Sequence, residues 1–157
     1  MQKELYEQDF QEWLKQTIEN LKDQQFIQLD LEHLIEELND LGKSNQRALE
    51  SNLLILIAHL LKLRVQNNAP ETMKVSWLNS VSEDRQRILY DLAEIPSLQS
   101  HLATAIAKVY GNARKLAIRE GKRASFGVRV PADVEYPEIC PFSIAQLLDE
   151  NFEGQTE

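Results

Sequence analysis

LLILIAHLLKL, residues Leu53 to Leu63, carries nine apolar side chains in eleven, the exceptions being His59 and Lys62. A helix that is apolar on nearly every side belongs in the middle of a folded body. The stretch is too short to cross a bilayer, which takes about 20 apolar residues. It therefore predicts the central element of an all-α core, with Leu53, Leu56, Ile57 and Leu60 buried.

Periodicity extends this reading in both directions. Apolar residues at steps of three and four predict a first helix over Tyr6 to Asp23, with Phe10, Trp13, Leu14, Thr17, Ile18 and Leu21 on one face. A second is predicted from Asp30, a suitable N-cap, to Leu41, with the stripe Leu31, Leu34, Ile35, Leu38 and Leu41. Gly42 reads as its stop. The central helix then begins near Ser44 and reaches Arg64, as an antiparallel neighbour or angled corner to the second. After the break at Asn67 to Pro70, a fourth helix is predicted over Ser76 to Glu94. A fifth follows over Leu98 to Gly121, capped by Ser97. Beyond Gly121 the prolines at 131, 137 and 141 predict irregular chain, with short extended pieces around Val128 and Val134. Ser143 with Gln146 three residues on is a capping-box pattern. It opens a short helix whose Leu147, Leu148 and Phe152 should clip the tail to the core.

The expected architecture is thus a compact bundle of about five helices in one domain, residues 1–157. The bundle proper spans 1–121, and an irregular tail with a short docking helix spans 122–157. At 157 residues a chain can bury a sizeable core. The single cysteine, Cys140, excludes an internal disulfide and reads as a packing residue. The polar, acidic start MQKELYEQDF lacks the basic and apolar regions of a signal peptide. A soluble, cytoplasmic protein is expected.

Charge is segregated. Residues 1–42 hold eleven acids against three lysines, and 108–129 hold seven bases against Glu120. Residues 133–157 hold seven acids and no Lys or Arg. A basic block followed by an acidic tail can pair internally. The acidity of the whole chain, net −8, argues against a nucleic-acid partner.

No phosphate loop, zinc-ligand spacing or nucleophile elbow is present. Three polar residues stand out instead. Arg85 interrupts the stripe Leu78, Val81, Ile88, Leu92. A buried guanidinium there needs a carboxylate or several carbonyls. Glu37 borders the stripe of the second helix and is the expected partner. His59 lies within the central run. Glu37, His59 and Arg85 are the only candidate catalytic or ligand-binding set, and His33 and His101 read as peripheral. Without Glu-x-x-His spacing, no metal site and no cofactor is expected.

The segments LYEQDFQEWL, LDLEHLIEELNDLGKS, ALESNLLILIAHLLKLRVQ, SW at 76–77, PSL at 96–98 and CPFSIAQLLDENF at 140–152 resemble the bacterial domain-of-unknown-function family 29. The resemblance covers nearly the whole chain in order and spacing. It implies a compact all-α domain and brings no activity, substrate or cofactor. The matching positions include Glu36, Glu37, His59, Lys62 and Arg85. Two departures stand out. Leu63 takes a place where family members often have Trp, and the stretch from Gly121 to Tyr136 is longer than the usual linker.

With no catalytic motif, the expected function is a helical interaction or regulatory module that binds a protein partner or itself, an antitoxin-like role included. The alternative is a small-ligand-binding protein or enzyme using Glu37, His59 and Arg85. An enzyme requires those side chains to converge on a pocket of about 300 Å³ or more.

Overall fold

The computed structural model describes residues 2–123 and 129–155. The described chain is all-α: α1 (Gln2–Gln8), α2 (Phe10–Lys22), α3 (Leu31–Val65), α4 (Glu71–Glu94), α5 (Leu102–Arg123) and α6 (Ile144–Leu148). Short 3-10 turns occupy Phe26–Gln28, Pro96–His101 and Asp133–Glu135. No described helix is long and apolar enough to cross a membrane. The chain divides into two compact units, Met1–Asn45 and Gln46–Glu157.

Several boundaries differ from expectation. The predicted first helix is two, because Asp9 leaves helical geometry and its side chain accepts from the Glu12 N–H as the cap of α2. The Gly42 stop does not occur, and α3 runs unbroken for 35 residues. Gly42 has no positive φ. An interior glycine costs only about 1 kcal/mol relative to alanine, which the surrounding helix formers offset. Helix α4 begins five residues early, directly after Pro70, whose fixed φ suits a helix start. The first turn of the predicted fifth helix is 3-10, entered through Pro96. Val134 lies in a 3-10 turn, not an extended piece, and Val128 falls outside the described residues.

The core of the second unit is built around the C-terminal half of α3. Leu49, Leu53, Leu56, Ile57, Leu60 and Leu61 are fully buried there. Helix α4 contributes Val81, Ile88 and Leu92, and α5 contributes Leu102, Ala105, Val109, Ala113 and Ala117. The alanine row on α5 keeps side chains short and leaves room for neighbouring helices. Cys140 packs against the edge of this core. Burial pushes its thiol pKa up, and its Sγ faces the Phe142 carbonyl, so it is no activated nucleophile.

The tail completes the core. Ser143 Oγ accepts from the Gln146 N–H while Gln146 Oε1 accepts from the Ser143 N–H, closing the expected capping box. Phe142, Leu147 and Phe152 are buried, the two phenylalanines edge to face at 5.6 Å. Gly154 has φ +87°, and a Cβ there would stand 2.8 Å from the Leu60 carbonyl oxygen. Only glycine lets the chain pass α3 so closely.

Candidate functional site

Arg85 is buried, as its place in an apolar stripe requires. Among the described residues it has no carboxylate partner. Nε donates to the Leu147 carbonyl and a terminal nitrogen to the Phe152 carbonyl, both at 2.8 Å. Burial lowers its pKa, and Asp149, Glu150 and Glu153 act against that. The cavity beside it holds about 130 Å³ and is lined by Leu78, Val81, Ser82, Gln86, Glu150 and Glu153 besides Arg85. That is well below the ~300 Å³ of a ligand pocket, and neither Glu37 nor His59 lines it.

His59 sits on α3, half-buried, with Nδ1 2.9 Å from the Ile55 carbonyl oxygen. Since a carbonyl only accepts, Nδ1 carries the proton. Burial, reinforced by the charge of Lys62, lowers the imidazole pKa. Lys62 is itself buried. Its ammonium pairs with Glu120 and lies 5.1 Å from the Trp77 ring centre. An opposite charge and an aromatic face there compensate for the water that burial removes.

Glu37 belongs to the first unit, where its Oε1 accepts from the Tyr6 hydroxyl at 2.6 Å. That bond pushes the Tyr6 pKa up to about 12. Glu37 and Arg85, expected to pair, each have partners within their own unit. Main-chain carbonyls from a distant segment satisfy the guanidinium, and a phenol satisfies the carboxylate. Glu36 is exposed.

His33 and His101, expected to be peripheral, are both engaged. His101 Nε2 is 3.0 Å from Glu50 Oε1, and Lys108 Nζ lies 2.9 Å from the other oxygen. Hydrogen bonds from Lys108 and then His101 hold Glu50 below the ordinary carboxylate pKa. Other members of the basic block pair with the acidic stretch as charge segregation suggested: Arg129 is bidentate on Glu135, Lys122 faces Asp133, and Arg114 donates to the Tyr136 and Asp133 carbonyls.

His33 is at the centre of the first unit. Nδ1 is 2.5 Å from Oδ2 of the buried Asp30, and its ring stacks on Tyr6 at 3.9 Å and 14°. Asp30 Oδ1 also accepts from the His33 N–H at 3.4 Å, the N-cap contact its position predicted. Trp13, fully buried, meets Tyr6 edge to face at 5.0 Å. The Asp30 hydrogen bond raises the His33 pKa against some burial. Burial works against the Asp30 carboxylate, yet the side-chain and backbone bonds from His33 hold its pKa below the ordinary value.

These shifts fix a pH window. A base with a raised folded-state pKa stabilises below its unfolded value, and that contribution is lost as pH rises through the folded value. A carboxylate with a depressed pKa stabilises above its unfolded value and is lost as pH falls through the folded one. The first unit should therefore pack best between the two. Imidazole proton shifts of His33 should report a midpoint above the usual histidine value, and Asp30→Asn should bring it down. A wild-type midpoint at the ordinary value would remove the pair.

This polar cluster has a geometric consequence. Between residues 30 and 41 the sheltered residues are the cap Asp30 and, on α3, His33, Leu34 and Glu37. The apolar stripe Leu31, Ile35, Leu38 and Leu41 is turned to solvent, each residue more than half exposed. On α2, Phe10, Leu14, Ile18 and Leu21 are likewise exposed, and Phe26 and Ile27 follow in the turn between the helices. Ten of the sixteen exposed large apolar residues among those described thus fall within residues 10–41. Both sets were predicted as apolar helix faces, and of the first face only Trp13 and Thr17 are buried. Among the described residues of the unit, the buried set is Trp13, Thr17 and Asp30.

Among the described residues no group of three or more His, Cys, Asp or Glu side chains could hold a metal. No curated protein and no solved structure matches the chain. The family described as Domain of unknown function DUF29 matches residues 5–153, in keeping with the resemblance carried by the sequence segments. The chain belongs to that family.

Proposed function

We propose that this protein is a helical interaction module whose first unit is its docking surface. The observation that carries this reading is the bare apolar face of residues 10–41. Soluble monomers rarely expose contiguous apolar patches beyond a few hundred Å², and larger ones mark interaction sites. The polar residues of the chain support the same reading. Arg85, His59, Lys62, Glu37 and Glu50 all have partners within the fold, so they hold structure in place.

The test is the size of the tagged chain in extracts of its native cell. Wild type should elute well above its 18.1 kDa mass. The pair Leu14→Glu and Leu38→Glu, both at exposed positions, should elute as a monomer. Elution of wild type as a monomer would overturn the reading.

A further inference from the structure

We propose that the occupant of this face is a second copy of the chain, packed through residues 10–41 of each. This deepens the interaction-module reading and rests on it.

The first ground is the poverty of the first unit's own core. Among its described residues this forty-five-residue unit buries one large apolar side chain, Trp13, beside a polar Asp–His–Tyr–Glu cluster. Units of about this size seldom fold on their own core, and oligomerisation is one usual remedy. The cover must then be present whenever the unit is folded. A second copy is the one partner supplied in equal amount by synthesis of the chain itself.

The second ground is area. A fully exposed large apolar side chain offers roughly 150–250 Å². Ten that average more than half exposure, spread over α2, the following turn and α3, offer on the order of 1,000 Å² in all per copy, against the ~800 Å² per partner of a standard stable interface.

The third ground is the pattern on α3 within the first unit. Leu31, Ile35, Leu38 and Leu41 recur at steps of three and four, and all four are more than half exposed, the spacing of a helix face that packs on another helix.

Charge separates this occupant from another. The first unit carries eleven acids against four lysines. A basic partner would be drawn to it, and salt would weaken that complex. Two copies repel, and salt should strengthen theirs. Raising salt from ~0.1 to ~1 M shortens the screening length from about 10 to about 3 Å.

The experiment is sedimentation equilibrium of the purified full-length chain at both salt concentrations. The expected result is a species of twice the 18.1 kDa chain mass, tighter at high salt. Ile35→Glu with Leu38→Glu should weaken it by roughly 100-fold or more, because each variant buries unpaired charge. Both positions are exposed in the single chain, and circular dichroism should show the second unit still folded. Val134→Glu, at an exposed site in the second unit, should leave the dimer unchanged. A monomeric purified chain that is large in cell extract would overturn the second copy and keep the docking surface, now for another protein. A monomer in both settings would overturn both. A dimer weakened by salt, or untouched by the double variant, would overturn this interface.

Discussion

Arg85→Met should destabilise the second unit by about 3–5 kcal/mol. Two hydrogen bonds from a charged donor are lost, each worth ~1.5–3 kcal/mol, and two carbonyls in a buried setting lose their donor. Methionine replaces much of the stem, so the loss reports the guanidinium more than volume. For a chain of this size 1 kcal/mol shifts the melting temperature by about 2–4 °C. Urea and thermal denaturation of wild type and variant measure the effect. Truncation after Pro141 should cost a similar amount or more, since Leu147 and Phe152 leave the core with it. The two changes should not add, because both of Arg85's acceptors lie in the deleted segment. In the truncated chain, Arg85→Met should be nearly silent. A full additional loss there would show that the guanidinium acts elsewhere.

Leu56→Ala is the other large effect, at ~2–5 kcal/mol. The side chain is fully buried among residues from α3, α4 and α5, and deleting it leaves a cavity that a rigid helical core closes only in part. Ile57→Val, also at a fully buried position, removes one methylene and should cost only ~0.5–1.5 kcal/mol. Denaturant midpoints at unchanged slope would assign both to stability of the native state. Losses below ~1 kcal/mol at Leu56 would mean that α3 is not the centre of the unit.

The burial of Leu53, Leu56, Ile57 and Leu60 was legible because an all-round apolar helix has only one comfortable place. The burial of Arg85 was legible for the same reason, from the stripe around it. Its partner was not. Carbonyls belong to every residue, so nothing in the side-chain sequence marks Leu147 and Phe152 as acceptors. Gly42 was misread because glycine is the strongest local stop signal, and only the continued ladder of α3 shows it overridden. The inversion of residues 31–41 was hidden for another reason. Periodicity ranks faces by hydropathy, whereas the face that turned inward was chosen by aromatic stacking and paired charge: Tyr6 on His33, His33 on Asp30, Tyr6 on Glu37. The spacing of Asp30 and His33, three apart at a helix start, was the one local hint. As sequence, Asp30 reads as a cap and His33 as peripheral, which leaves the two unjoined.

The docked tail also bears on how the molecule is made. Synthesis delivers the first residues of a chain to the outside of the ribosome long before the last. Leu147 and Phe152, which fill the core, and the two carbonyls that solvate Arg85 emerge only after α3, α4 and α5. Until then the nascent protein holds a half-closed helical body with an unshielded cation inside it. Native closure therefore waits for residue 152, and holding chaperones should dwell on this chain until that residue is free.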